Sequence, residues 1–247
     1  MKTEEQPPKS KWIDKMSNKK ALKVMLDNQS EAIKAIEFVL KDIDKVVSSI
    51  FKRLYTYSNS RIIYVGAGTS ARIGVQDGTE LLPTFGWPQE RVAYLVAGGL
   101  RALTEPVENA EDDVLEAKKM IDEMKITSSD VILALAASGE TPFTILVVNE
   151  ANNKNALTIG ISNNPDAQLQ KLAMLGVTLD TGFEILAGST RLKAGTAQKI
   201  CLNLISTLVM SNLGNVEDGM MINMLPKNKK LRKRKKIINK LLSFNKL

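Results

Sequence analysis

Three stretches of this chain combine glycine with hydroxyl side chains in a pattern suited to holding an anion. The first, "GAGTSA" at 66–71, follows the apolar run "RIIYV" and puts Gly68, Thr69 and Ser70 where a helix would begin. Backbone N–H groups at a helix start lack intrahelical partners, and these hydroxyls would point the same way, which makes a phosphate site. The same residues also serve as ordinary helix caps, so both readings stand at this point. The second stretch, "ASGETP" at 137–142, repeats the device: Ser138 and Gly139 at the turn, Thr141 at the cap, and Pro142 at the first helical position, where its missing N–H costs nothing. The third, "AGSTRLKAGTAQK" at 187–199, sets Ser189, Thr190, Arg191 and Lys193 before a long apolar segment. Cations at a helix start oppose its macrodipole; either an anion lies nearby, or this is a capped core helix with a basic first turn. Two hydroxyl-rich helix starts with no obligatory lysine or metal suit a phosphate monoester on a small body such as a sugar.

Other uses of these loops fit less well. "GAGTSA" satisfies the dinucleotide pattern G-x-G-x-x-A, but the next strand ends "YLVAGG" and offers no acid for a ribose hydroxyl. No Gly-Lys-Ser/Thr follows, so it is not a P-loop. The 247 residues contain no histidine and one cysteine, which excludes a Ser-His-Asp triad, a Cys-His dyad and an ordinary zinc site. Proton chemistry is left to carboxylates, lysines or tyrosines.

Charge and hydropathy narrow the partners. The formal net charge is +7, but nine of the 34 Lys and Arg fall between 227 and 240 with no acid among them. The remaining 25 Lys and Arg meet 27 Asp and Glu, so basicity belongs to the tail and predicts a solvated helix end, with no nucleic acid partner. No apolar run approaches the roughly 18 residues that span a bilayer, and "MKTEEQPPKSKW" lacks the hydrophobic region of a secretory signal. A cytoplasmic location and no membrane partner are expected, and a lone Cys201 suits a chain without disulfides.

The elements that must position these loops show in the hydrophobic period. Residues 1–11, with Pro7-Pro8 and mixed charge, read as a disordered leader. Apolar positions over 12–56 fall at helical spacing and predict two helices, broken near Asp27-Asn28-Gln29. "RIIYV", "RVAYLVA", "DVILALAA" and "ALTIGIS" are then short and apolar on both faces, with "GVTLD" a weaker fifth run. Helix-like segments alternate with them at 69–80, 108–124, 142–152, 166–174 and 190–213. The pattern predicts an α/β fold, a three-layer αβα sandwich on a five-stranded parallel sheet over 57–223, followed by a basic helix or tail at 224–247. In such sheets ligands gather beyond the carboxyl ends of the strands, where "GAGTSAR", "AGGLRA", "ASGETP" and "SNNPD" stand.

The ordered set "GAGTSARIG", "DGTELLPTFG", "VENAEDD", "AASGETP", "ISNNP" and "GSTRLKAGTAQK" resembles the N-acetylmuramic acid 6-phosphate etherases, a branch of the sugar isomerase (SIS) domain proteins. The likeness runs from about Trp12 to about Asn228. It implies a homodimer without metal or cofactor that cleaves the lactyl ether of a small-molecule sugar phosphate. Gly68, Thr69, Ser70, Ser138, Gly139, Thr141, Ser189, Thr190 and Lys193 would bind phosphate and sugar. Glu80 matches the acid that protonates departing lactate and then activates water, and Glu111 matches the second catalytic carboxylate, the base at sugar C2. Such alternation asks for a carboxyl that ionises near neutrality, and desolvation by Leu81, Leu82 and Pro83 would supply it.

Geometry and departures qualify the match. A continuous helix from Thr69 to Glu80 spans about 16 Å, more than a hexose phosphate bridges comfortably. Either the helix breaks at Asp77-Gly78, or Glu80 serves the other subunit. Glu140 stands where the family has arginine, reversing a charge beside the phosphate turn, and the small helical region that family members carry beyond the counterpart of Asn228 is missing. The alternative is a sugar-phosphate-binding regulator of the same fold without turnover.

Overall fold

The computed structural model describes residues 1–226 and 229–244, so 227–228 and 245–247 of the expected tail lie outside the described residues. Five strands, β1 (Ile62–Gly66), β2 (Val92–Val96), β3 (Val131–Leu135), β4 (Leu157–Ser162) and β5 (Leu175–Thr178), form one parallel sheet in the order β2-β1-β3-β4-β5. The order reverses between β1 and β3, opening a crevice at their carboxyl ends. β1, β3 and β4 are buried along their whole length, as strands covered on both faces must be, and this accounts for their unbroken apolar runs.

On one face α1 (Asn18–Glu37), α2 (Leu40–Thr56), α3 (Gly68–Phe85) and α7 (Lys193–Met210) enclose the larger core, built around Tyr64, Leu133, Ile159, Cys201 and Ile205. On the other, α4 (Val114–Met124), α5 (Pro142–Asn153) and the short α6 (Gln168–Leu172) pack on Ile63, Val65, Ile132 and Phe143. A two-stranded antiparallel ribbon, β6 (Val216–Glu217) with β7 (Met220–Met221), leads toward α8 (Lys229–Phe244), which carries the basic run. No helix among the described residues is long and apolar enough to cross a membrane.

Three local expectations are corrected. The first two helices part at Phe38-Val39 rather than near Asp27-Asn28-Gln29. Asn28 is buried and Lys23 pairs with Asp27 one turn on, so those polar residues continue the helix instead of breaking it. The helix foreseen over 108–124 begins only at Val114, capped by Asp113, whose carboxylate accepts the N–H of Glu116 at 2.9 Å. The leader is folded: Lys2–Glu4 form a 3₁₀ turn in which Thr3 is fully buried.

The end of the sheet opposite the crevice is pinned by an ion pair. Asp130, 1% exposed as a side chain, takes Arg61 Nη2 at 2.7 Å and Nε at 3.0 Å, and also accepts the Thr127 N–H at 2.8 Å. Burial opposes ionisation of Asp130, but the Arg61 and Thr127 donors outweigh it and hold the carboxyl below its ordinary range. A depressed carboxyl stabilises the fold above the unfolded value of about 3.9 and stops doing so as pH falls through the folded value. Asp130→Asn should therefore lose about 2 kcal/mol of stability at pH 7, where Arg61 is left partly buried without its counter-charge. Urea unfolding of both proteins at pH 7 and pH 3 checks this; the deficit should shrink at the acid pH.

Candidate functional site

One cleft of about 430 Å³ opens at the carboxyl ends of β1 and β3. Its walls include Gly68, Thr69 and Ser70 from the start of α3, Ser138, Glu140 and Thr141 before α5, Gly188 and Thr190 before α7, and Glu111 with Asp112. Parallel pairing of Gly66 with Leu135 brings the first two loops to one level, so the convergence follows from strand register.

The hydroxyls at these helix starts are not spent on capping. α3 and α5 have Ala67 and Thr141 at their N-caps, and neither cap makes a side-chain hydrogen bond. Ser138 Oγ accepts the Glu140 N–H at 3.1 Å and lies 3.5 Å from Thr141 Oγ1, which shapes a tight hydroxyl-lined turn. Gly139 carries that turn with φ +73°. It is buried beneath the turn rather than lining the cleft, and an added Cβ would stand 2.4 Å from Ala167 Cβ. Glu140, the charge reversal beside this turn, spends one oxygen on the Gln168 N–H at 2.8 Å and is exposed to solvent. Both features reduce its repulsion of an anion in the cleft.

Glu111 reaches the cleft from an irregular loop. Its carbonyl accepts the Phe143 N–H of α5 at 3.0 Å, which ties this loop to the turn at Ser138–Thr141. Its side chain is exposed at the cleft wall.

Glu80 stands elsewhere. α3 runs unbroken through Asp77 and Gly78, which excludes the first of the two alternatives, a helix break there, and places Glu80 about 18 Å along the axis from Gly68. The continuity has a cause. Asp77 is buried and accepts from Tyr64 Oη at 2.8 Å, Asn203 Nδ2 at 2.9 Å and Ser206 Oγ at 3.0 Å. Gly78 lies so close to Tyr64 and Tyr94 that a Cβ would meet their rings and the Tyr94 hydroxyl at 2.7 to 2.9 Å. Glu80 is exposed while Leu81 turns into the core, so its own chain does not supply the desolvation foreseen for it.

Lys193 and Ser189 do not line the cleft. Lys193 is 3% exposed, with its ammonium 5.2 Å from the centre of the Phe183 ring. The anion that explains a lysine at this helix start belongs to the protein: buried Glu184 accepts the N–H groups of Lys193 at 3.2 Å and Ala194 at 2.7 Å. Burial pushes the Lys193 ammonium below its ordinary value and the Glu184 carboxyl above its own. Sequence reasoning passed over Glu184 because its partners, the first N–H groups of α7, lie nine and ten residues away.

Sequence reasoning also passed over Met1 and Glu4, which line the cleft mouth. A Pro-containing polar leader carries no periodicity, and its anchor lies 161 residues away at Asn164. The one available signal was the Asn-Asn of "ISNNP".

Residues 39–152 match the glucokinase regulatory protein N-terminal SIS domain, and residues 103–210 match the SIS domain. A Bacteroides fragilis structure described as a candidate phosphosugar isomerase involved in capsule formation shares the fold. Its TM-score is 0.62 at 18% identity, covering 82% of this chain and 95% of that one. The sheet order, the crevice and these matches define a SIS-domain α/β protein. N-acetylmuramic acid 6-phosphate etherases of Oceanobacillus iheyensis and Deinococcus radiodurans are 41% and 40% identical to it, over 96% and 94% of this chain and 80% and 76% of theirs. The chain belongs to the N-acetylmuramic acid 6-phosphate etherase family.

The turn at Gly139 tests the cleft directly. Gly139→Ala forces a left-handed alanine against Ala167 and should cost about 2–4 kcal/mol, from backbone strain and overpacking together. Thermal unfolding and calorimetric titration with inorganic phosphate should show a lower midpoint and weaker binding.

Proposed function

We propose that the protein cleaves the lactyl ether of N-acetylmuramic acid 6-phosphate to N-acetylglucosamine 6-phosphate and D-lactate, in the recycling of cell-wall amino sugars. One observation carries the reading: the loops of three helix starts converge on one cleft beside Glu111, and the helix-start hydroxyls of Thr69, Ser70 and Thr141 are left uncommitted to capping. Relatives of that name, about 40% identical over most of their length, support it. Backbone N–H groups and the hydroxyls of Thr69, Ser70, Ser138, Thr141 and Thr190 hold the phosphate and neighbouring hydroxyls, with Gly68 giving close backbone approach and Gly139 acting from beneath, by holding the turn at Ser138–Thr141 in shape. Ser189 and Lys193 act from behind the cleft wall, by shaping the start of α7.

In the open-chain sugar the carbonyl acidifies the C2 proton, which Glu111 removes. The C3–O bond then breaks, its electron pair going to the lactate oxygen, and Glu80 donates the proton that oxygen needs. Water adds to C3 of the unsaturated aldehyde while Glu80 takes a proton back, and the proton held by Glu111 returns to C2, which restores both carboxyls. The reaction is neutral in electrons and calls on no redox partner. Glu80 reaches this chemistry from the second subunit of a cytoplasmic homodimer. Its exposure far from its own cleft supports that arrangement, as does the exposed apolar row Leu22, Leu26 and Ile33 on α1. The same remoteness of Glu80 favours the second reading, a sugar-phosphate-binding regulator without turnover.

A D-lactate assay on N-acetylmuramic acid 6-phosphate separates the two. Lactate should form, and Glu111→Gln and Glu80→Gln should each lower kcat by about 100-fold or more. Mixing the two variants through unfolding and refolding should restore about a quarter of wild-type activity, because half the dimers are mixed and each of those holds one intact site. Failure to restore would assign Glu80 to its own subunit. Folded protein that binds the sugar phosphate but releases no lactate would leave the regulator.

A further inference from the structure

The first five residues, beginning "MKTE", form a strap across one side of the cleft. Thr3 anchors it: its N–H donates to Asn164 Oδ1 at 3.3 Å, its hydroxyl accepts from Asn164 Nδ2 at 3.0 Å, and its carbonyl accepts the Gly188 N–H at 2.9 Å. Asn164 Nδ2 also donates to the Ala137 carbonyl at 2.8 Å, one residue before Ser138. The strap is thus stitched to two of the loops that build the cleft. Lys2 adds an ion pair to Asp180 at 2.6 Å, on the outside. These contacts fix the direction of the next side chain: Glu4 turns to the cleft and lies against Gly188, where an added Cβ would stand 2.7 Å from Glu4 Oε2. Among the described residues no hydrogen bond or ion pair occupies the Glu4 carboxylate, although the backbone beside it is pinned on both sides.

We propose that Glu4 is a substrate-contacting residue that recognises the sugar body, accepting hydrogen bonds from a hydroxyl or an amide N–H of the bound sugar phosphate. A carboxylate offers only acceptors, so its partners are the donors of the sugar and not its phosphate or lactyl carboxylate. The burial of Thr3 keeps the ordering cost of the strap out of the binding step, which is why a side chain on this irregular strap can contribute to affinity. The proposal rests on the sugar-phosphate reading of the cleft.

The test is calorimetric titration of the wild-type protein and Glu4→Ala with N-acetylglucosamine 6-phosphate and, separately, inorganic phosphate. The expected result is affinity for the sugar phosphate weakened by about tenfold or more, as for a charge-assisted hydrogen bond, with phosphate affinity unchanged or slightly tighter once a negative charge is gone. In the lactate assay the variant should raise KM more than it lowers kcat, because the contact is made in ground state and transition state alike. Two results overturn the proposal. If both ligands bind tighter in Glu4→Ala, the strap is a plug that competes with the substrate; if neither changes, Glu4 touches nothing. Glu4→Gln, which keeps an acceptor at the same place, should retain part of the affinity and the wild-type unfolding midpoint. A wild-type protein that binds inorganic phosphate but not the sugar phosphate would instead remove the sugar-phosphate reading on which the proposal rests.

Discussion

A carboxylate in the middle of a helix holds the site-bearing elements together. Asp77 sits inside α3 and draws a tyrosine hydroxyl from β1 and an amide and a hydroxyl from α7, all within 3.0 Å. β1 feeds the first cleft loop, α3 begins in it, and α7 begins just past the third loop. A buried carboxylate with satisfied acceptors fixes the rotation and height of each helix on the sheet more narrowly than apolar contact can. Gly78 completes the constraint by bringing the helix onto Tyr64 and Tyr94 at a distance no other residue allows.

That constraint has a functional consequence. A continuous α3 delivers its N-terminus to the cleft and carries Glu80 away from it, so "GAGTSARIG" and the glutamate of "DGTELLPTFG" do not meet at one cleft within one chain. The division of labour proposed between subunits thus has its origin in helix geometry. A helix cannot both present its first turn to a ligand and bring a side chain three turns on to the same ligand.

The charges around the cleft are handled locally. Glu184 takes the first N–H groups of α7 and faces a lysine whose ammonium rests on an aromatic ring. Glu140 accepts the Gln168 N–H at the start of α6 rather than pointing only at the turn of Ser138–Thr141. Each carboxylate lies where backbone donors are concentrated, which lowers the cost of its charge there.

The order of strands and helices, the crevice loops and the family were legible in the sequence, because they rest on local period and on short runs of glycine and hydroxyl residues. "RIIYV" and "DVILALAA" are strands buried on both faces, and no other element accommodates such runs at that length. Where side chains end up relative to one another was not legible, because it depends on partners distant in the chain. Thr3 is buried only because Asn164 and Gly188 wait for it, and Lys193 leaves the cleft because Glu184 takes up its helix start. The Asp-Gly pair in α3 left a helix break open as one alternative and is a packing device instead, since the donors that satisfy Asp77 come from β1 and α7. Local propensity names the elements; tertiary contact decided which of their residues share a site.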